Sequence, residues 1–191
     1  MPKAKASKKS VSPKGSLKKP DPSLSPITAT GLPHVAPTYG LKPREKYLPF
    51  SHAETRLAKS RSYWICTARP DGRPHSIPVW GFWIDGALYF GTARDSRKSR
   101  NLAHNPAISI HLESGDDVVI LEGTATEVDP NDKPTFKKLD AASRVKYKMP
   151  MAAPPGGDSV VYCVRPRVVL AWTEKDFPNN ATRWQLEARA E

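Results

Sequence analysis

The chain of 191 residues is long enough to bury one sizeable core, which favours one domain over two. It carries 30 Lys and Arg against 19 Asp and Glu, so its formal net charge is +11. It has no apolar segment typical of a secretion signal and no run near the ~20 apolar residues of a membrane span. We therefore expect a cytoplasmic protein that does not contact membranes.

Much of the positive charge lies in residues 1–50, where ten Lys or Arg stand against Asp21 and Glu45. This stretch also holds nine of the 20 prolines and few large apolar side chains, so it cannot bury enough surface to offset the entropy of ordering. We predict a disordered arm over residues 1–45 and one folded domain over residues 46–191. An arm of this kind can bind nucleic acid through counterion release, but most such runs are simply solvated, and we favour the solvated interpretation.

The predicted elements of the domain begin with a helix and two hairpins. Ser51 and Glu54 have the spacing of a capping box, which predicts a helix over 51–61. Strand-like runs follow at 63–68, 75–83 and 87–92, separated by Arg69-Pro70-Asp71-Gly72 and Asp85-Gly86, which are typical turn sequences. Two consecutive hairpins predict an antiparallel meander.

The second half of the domain continues this pattern with more strands than helices. Helices are predicted over 96–104 and 134–147, and strands over 107–112, 118–128, 159–165 and 168–173, with a bend or bulge at Pro166. The segment 181–186 is compatible with a strand or a short helix. About seven short strands in meander order predict a mainly β protein, an antiparallel β-barrel of six to seven strands with a few peripheral helices.

Several classes of catalytic site are excluded by the motifs that the chain lacks. Cys66 and Cys163 have neither a C-x-x-C spacing nor a His partner, so we expect two buried thiols rather than a metal site or a disulfide framework. No Gly-x-Ser-x-Gly, no His-Glu-x-x-His and no Cys near a His is present to build an activated nucleophile. Chemistry carried by a bound cofactor is what remains.

A basic cluster lies at the predicted start of the second helix, where Arg94, Ser96, Arg97, Lys98 and Arg100 follow one another closely. The backbone N–H groups of a helix N-terminus favour an anion, whereas cations placed there oppose the helix dipole. The cluster is therefore either a phosphate-binding site or a solvated basic surface, and composition alone does not choose between them.

The stretch from Tyr63 to Pro106 resembles the flavin-binding split-barrel superfamily, which includes pyridoxamine 5'-phosphate oxidase and the reductases that use the deazaflavin coenzyme F420. That superfamily carries the same Ser-Arg-Lys after its third strand, a hydroxyl residue at the position of Thr92, and a strand beside the flavin ring that corresponds to residues 75–80. The resemblance implies a phosphate site rather than a solvated surface. The cofactor-binding residues that it implies are His75, Pro78, Val79, Trp80, Thr92, Ser96, Arg97, Lys98, Asn101, Arg183 and Trp184.

Some of these residues have ordinary structural explanations as well. A Trp in a strand is usually part of the core, so Trp80 is as easily a core residue as a site residue. An isolated His such as His75 is more often an ordinary strand residue. Arg183 and Trp184 belong to an Ala-Thr-Arg-Trp sequence similar to the closing motif of F420-type members, and they either serve the site of a partner subunit or close the barrel.

The chain also departs from the vitamin B6 oxidases of this superfamily. It has Ile77 and Phe82 where those oxidases place an arginine and a lysine for the flavin phosphate and the substrate. The resemblance therefore implies an oxidoreductase that transfers a hydride between bound F420 or FMN and a small organic acceptor, and not a true pyridoxamine phosphate oxidase. It also implies a homodimer with the cofactor at its interface. The alternative is a non-catalytic flavin- or haem-binding barrel whose basic arm docks on nucleic acid.

Overall fold

The computed structural model of the protein describes residues 25–151 and 157–187. Within these residues the strands are β1 (Ile27–Gly31), β2 (Ser62–Ala68), β3 (Pro74–Trp80), β4 (Phe82–Ile84), β5 (Ala87–Ala93), β6 (Ala107–His111), β7 (Asp117–Glu127), β8 (Ser159–Thr173) and β9 (Thr182–Leu186). The helices are α1 (Ser51–Lys59), α2 (Arg97–His104), α3 (Lys133–Lys146) and α4 (Phe177–Asn180), and short 3-10 turns lie at Pro37–Tyr39 and Glu174–Asp176. None of these helices is both long and apolar enough to cross a membrane.

The strands pair antiparallel in the order β1-β9-β8-β7-β6-β2-β3, and β5 joins β8 and carries β4. The 15-residue strand β8 organises the fold. One side of β8 pairs with β7 along most of its length, while the other pairs with β5 through residues 159–164 and with β9 through residues 168–171. The sheet therefore divides along β8, and the predicted mainly β, antiparallel split-barrel architecture is confirmed.

Strand β1 corrects the prediction of a disordered arm over residues 1–45. Ile27–Gly31 pairs antiparallel with β9, and Thr30 and Gly31 lie opposite Trp184 and Arg183. Its first four side chains are exposed, so backbone pairing at a sheet edge holds the strand in place and burial contributes little. Amino-acid composition indicates whether a segment can bury apolar surface, but it does not indicate whether the backbone of the segment pairs at a sheet edge. The prediction is therefore wrong for this strand. Residues 1–24 of the predicted arm lie outside the described residues.

Three other strand boundaries are clarified by the structure. The predicted strand 75–83 breaks at Gly81 into β3 and β4. A Cβ at this position would lie 2.8 Å from the backbone oxygen of Tyr89, so only a glycine fits at the break. The predicted strands 159–165 and 168–173 are one strand, and the bulge expected at Pro166 is confirmed where the register with β7 shifts next to Gly123. The segment 181–186 contains strand β9 and no helix.

The helices begin in different ways. The capping box predicted at Ser51 is wrong, because the N-cap of α1 is Phe50, whose carbonyl accepts from the N–H groups of Ala53 and Glu54. Helix α2 has the side-chain cap that α1 lacks, since the Ser96 hydroxyl accepts from the N–H of a residue in its first turn. The α2 start is therefore held in place by a local hydrogen bond.

The main core fills the interior of the barrel. Side chains alternate along β2, where Tyr63 and Ile65 point inward and are fully buried. Cys66 points to the opposite face and is half-buried, so its predicted burial is wrong, whereas the predicted burial of Cys163 is confirmed. A second, smaller cluster lies beneath α3 and is formed by Ala87, Tyr89, Phe136, Leu139, Val161 and Cys163. This cluster fixes α3 above the ends of β5 and β8.

Candidate functional site

The end of β5 and the start of α2 bring two predicted site residues together. The hydroxyl oxygens of Thr92 and Ser96 lie 3.0 Å apart, and the Ser96 hydroxyl also accepts from the Ser99 N–H at 3.3 Å. Because the first turn of a helix has no intrahelical acceptors, the N–H groups of Arg97 and Lys98 remain available to an outside acceptor. The α2 start thus presents two hydroxyls and two backbone donors.

A cluster of positive charges surrounds this helix start. The pKa of His75 is lowered first by its partial burial and then by the positive charges of Arg69, Lys98 and Arg97, so all three charges lie within electrostatic reach of its ring. In the part of the chain that the structure describes, none of these three cations forms an ion pair. By contrast, the nearby Arg94 is neutralised by Glu127 through two contacts of 3.0 and 2.9 Å. We call Arg69, His75, Arg97 and Lys98 the cationic cluster.

Arg69 is the member of the cationic cluster that sequence reasoning missed. The pattern correctly predicts that Arg69 begins a turn, and its backbone bonds with Gly72 and Arg73 close that turn. The Nε atom of Arg69 is buried and lacks a hydrogen-bond partner among the described residues. A turn sequence contains no signal that the charge of its arginine acts on His75 together with the charges of Arg97 and Lys98.

Asn101 lies behind the cationic cluster and not on its surface. Its side chain is fully buried, and its Nδ2 donates to the Thr67 hydroxyl at 2.9 Å. The hydroxyls of Ser99 and Tyr162 lie 3.0 Å apart and link α2 to β8. These two contacts fix the position of α2 on the sheet, so Asn101 as placed here supports the site from below.

Strand β3 ends the main sheet path and pairs only with β2, which leaves one of its backbone edges free in the described residues. Pro78 and Trp80 are exposed on its outer face, while His75, Ile77 and Val79 are half-buried on its inner face. A proline suits such an edge because it has no N–H to donate. The structure thus places the predicted β3 residues on two different faces of an edge strand.

Trp80 is a surface residue held by a stack of side chains. Its indole is 51% exposed and stacks on the ring of Tyr147, with centroids 4.6 Å apart and planes at 8°. The Arg61 guanidinium lies 5.3 Å from the Trp80 ring and 5.5 Å from the Tyr147 ring. The Tyr147 hydroxyl donates to the Arg61 carbonyl at 2.7 Å and accepts from the Gly81 N–H at 2.9 Å. The ring orientation of Trp80 is therefore supported from one side.

Lys146 provides a second anchor for the end of α3. Its ammonium donates to the Gly81 carbonyl at 3.0 Å and to the Tyr63 hydroxyl at 2.8 Å. Burial lowers the pKa of Lys146 to about 8. Together with Tyr147, this lysine joins α3 to the break between β3 and β4.

A pocket of about 370 Å³ opens beside Trp80. Its lining consists of Trp80, Phe82, Gly91, Thr92, Ser143, Tyr147, Met149, Pro150, Met151, Ser159, Val160 and Val161. None of these described lining residues carries a charge. Thr92 belongs to this lining and also contacts Ser96, so the pocket adjoins the cationic cluster through one shared hydroxyl.

The closing motif lies on a different part of the sheet. Trp184 is 2% exposed and packs edge-on against Phe50 with ring centroids 5.4 Å apart, so within one subunit it closes the barrel. Arg183 is half-buried and lines a separate pocket of about 480 Å³ with Arg167 and Glu122. The two pockets share no lining residue. Within one subunit, the structure therefore does not bring Arg183 or Trp184 to the α2 start, and their role in a partner's site stays a prediction.

A single row of directly paired residues connects Pro78 with Arg183 across the outer face of the sheet. The row consists of Pro78, Trp64, His111, Ile120, Leu170, Arg183 and Gly31. Directly opposite residues of paired strands share a face. None of these residues is fully buried, and the rings of Trp64 and His111 stack at 6.1 Å. We call this set the outer row.

The comparison with known protein families agrees with this geometry. A family model described as pyridoxamine 5'-phosphate oxidase matches residues 51–173, from the start of α1 to the end of β8. The chain belongs to this family. The match contains β3, the cationic cluster and the pocket beside Trp80, whereas β1 and β9 lie outside it.

Individual relatives of this family member are distant. A pyridoxine/pyridoxamine 5'-phosphate oxidase of Bacteroides thetaiotaomicron is 34% identical over 95 residues, which cover 48% of this chain and 45% of the relative. A conserved hypothetical protein of Mycobacterium tuberculosis has a TM-score of 0.56 at 23% identity, covering 68% of this chain and 88% of its own. An FAD-binding protein of Mesorhizobium loti has a TM-score of 0.53 at 19% identity, covering 74% and 97%. The two structural likenesses show the shared fold alone.

Proposed function

We propose that this family member is an oxidoreductase that transfers a hydride between bound F420 or FMN and a small organic acceptor. The observation that carries the proposal is the cationic cluster, whose three permanent cations have no ion-pair partner among the described residues. Cations at a helix N-terminus destabilise the helix unless an anion is bound between them. A cofactor phosphate is the anion that this family membership favours.

The residues at the α2 start fit a phosphate in number and in type. The hydroxyls of Thr92 and Ser96 and the N–H groups of Arg97 and Lys98 would donate to its oxygens, and the Lys98 and Arg69 side chains would balance its charge. When bound, a flavin or deazaflavin supplies a ring that accepts or donates a hydride. The free edge of β3 would offer backbone groups to the polar edge of that ring.

Oxidation of pyridoxamine phosphate is not part of this proposal. Phe82 lines the pocket beside Trp80, at the position where the resemblance implies a lysine in the vitamin B6 oxidases. Ile77 is half-buried on the inner face of β3 and packs against the core. A phosphorylated substrate in this pocket would find no cation among the described lining residues.

We also propose that the protein forms a homodimer with the cofactor at its interface. The outer row supports this assembly because it offers a surface that a second copy can cover. The row presents the apolar side chains of Trp64, Ile120 and Leu170 on one half-exposed face, and apolar side chains grouped on a surface can mark interaction sites. A second copy that covers this face would bring a partner's Arg183 close to the β3 edge. Light scattering of the purified protein is expected to give the mass of a dimer, and Ile120→Lys is expected to shift it to a monomer. A wild-type monomer would contradict the assembly.

Cofactor titration tests the proposed function itself. FMN and F420 are each added to the purified protein, and quenching of cofactor fluorescence is followed as the protein is increased. Binding of one of them at micromolar concentration, abolished by the double substitution of Arg97 and Lys98 with Ala, is the expected result. Binding that survives the double substitution would place the cofactor elsewhere.

A further inference from the structure

We infer that the pocket beside Trp80 binds an uncharged, planar aromatic molecule, and that the substrate of the proposed oxidoreductase is such a molecule with an activated C=C or C=N bond. One atom of that bond would accept the hydride and the other a proton from water. The statement about the substrate rests on the proposed function, while the statement about binding does not. It concerns the pocket of about 370 Å³ whose lining includes Trp80, Phe82 and Tyr147. This volume lies within the ordinary range for small-molecule sites.

The chemistry of the lining favours an apolar ligand. Three aromatic rings and the side chains of Met149 and Met151 contribute to the pocket wall. Methionine sulfur is polarisable and makes favourable contacts with aromatic rings. The Ser143 hydroxyl, one of the few polar groups, is already donated to the Met149 carbonyl at 2.9 Å. A charged group in this pocket would find no opposite charge among the described lining residues, which is unfavourable. The Arg61 guanidinium, outside the lining, already lies against the Trp80 and Tyr147 rings.

The geometry favours a flat ligand. Tyr147 covers one face of the Trp80 indole, and about half of Trp80 remains exposed. The hydrogen bonds from the Tyr147 hydroxyl to the Arg61 carbonyl and from the Gly81 N–H to that hydroxyl fix the supporting ring. Binding therefore requires little ordering of the indole, and an aromatic ligand can extend the existing stack.

The location connects this pocket with the cationic cluster while keeping their ligands chemically distinct. Thr92 lines the pocket and contacts Ser96 at the α2 start, so the two sites share a boundary. None of the three permanent cations of the cluster lines the pocket. The arrangement thus separates an anion-binding side from an apolar side.

Calorimetric titration with a matched pair of compounds tests the inference. The full-length protein is titrated with 1-naphthol and with 1-naphthyl phosphate, in a buffer whose inorganic phosphate saturates the cationic cluster. We expect 1-naphthol to bind at least tenfold more tightly than its phosphate ester. Equal binding of the two compounds, or no binding of 1-naphthol at millimolar concentration, would overturn the inference.

Two substitutions that add the same charge localise the binding. Met149 lines the pocket and is 46% exposed, whereas Val145 is 73% exposed near the same helix end and does not line it. Met149→Lys is expected to weaken 1-naphthol binding at least tenfold and to strengthen binding of the phosphate ester. Val145→Lys is expected to leave both within twofold. Equal effects of the two substitutions would show that the ligand binds outside this pocket.

The outcomes separate this inference from the proposed function. Cofactor binding without 1-naphthol binding would refute the pocket assignment alone. Binding of 1-naphthol that depends on Met149, in a protein that binds neither FMN nor F420, would support the pocket and refute the proposed cofactor chemistry. Trp80→Ala gives an independent check, because loss of the stacking surface is expected to weaken 1-naphthol binding by about fivefold or more.

Discussion

Replacing Lys98 with Ala is expected to weaken cofactor binding by about 10- to 150-fold. Lys98 lies at the α2 start, contributes to the field that lowers the pKa of His75, and has no ion-pair partner among the described residues. A charge-assisted hydrogen bond to a phosphate contributes roughly 1.5 to 3 kcal/mol, which gives this range of affinity. Fluorescence titration of the tighter-binding cofactor measures the ratio of dissociation constants.

Arg94→Ala is the matched control for Lys98→Ala. Arg94 lies four residues earlier and also carries a positive charge, but Glu127 already neutralises it through two hydrogen bonds. Solvent screens this exposed pair, so its loss is not expected to unfold the protein. Affinity for the cofactor is expected to stay within about threefold, because the charge of Arg94 is already paired with Glu127. If both substitutions weakened binding equally, the effect would be a general loss of positive charge, and the phosphate site would be refuted.

Three further predictions address the sheet edge, a crowded glycine and the titration of the cluster. Deleting residues 1–24 is expected to leave the melting temperature unchanged. Deleting residues 1–31 also removes β1, the partner of β9, and is expected to lower the melting temperature. Equal melting temperatures of the two deletion variants would refute a stabilising role for β1. Gly81→Ala is expected to lower the free energy of unfolding, measured in urea, by about 1 to 3 kcal/mol, because its Cβ would lie 2.8 Å from a backbone oxygen. Gly115→Ala is the control: a Cβ there would have nothing within 4 Å, and the free energy of unfolding is expected to change little. In the free protein the His75 pKa lies below its usual value, and a bound phosphate is expected to raise it because a neighbouring anion favours the imidazolium. The affinity for phosphate should consequently increase as the pH falls through the pKa of the bound state and level off below the lower pKa of the free state. An NMR titration of His75 that is unchanged by saturating phosphate would contradict the cluster.

Most of the fold could be predicted because its strands alternate between a buried and an exposed face. In β7 the polar residues Glu122, Thr124 and Thr126 interrupt an apolar run in the sequence, and none of them is buried, whereas Leu121 and Ala125 are. Strand β1 could not be predicted, since four of its five side chains are exposed and its stability comes from pairing with a strand more than 150 residues away. The need for a glycine at position 81 also comes from a tertiary contact, the close approach to the backbone of β5.

The part of the candidate site that is formed by residues close together in the sequence was predictable. Thr92 and Ser96 belong to one continuous motif, and the structure places their hydroxyls in contact. Arg69 and Tyr147 were missed because each reaches the site through tertiary packing, Arg69 from a hairpin turn and Tyr147 from the end of α3. Asn101 belongs to the predicted motif, but the helix turns it toward Thr67 and away from solvent.

The cofactor that accompanies the protein from its own host tests the central claim most directly. Absorbance spectra and mass spectrometry of the freshly purified protein are expected to reveal FMN or F420. The amount of cofactor released on denaturation should be comparable to the amount of protein. The variant with Ala in place of Arg97 and Lys98 is expected to carry much less cofactor. A protein that carries neither cofactor, and that binds neither when each is supplied at micromolar concentration, would contradict the assignment of an F420- or FMN-dependent oxidoreductase.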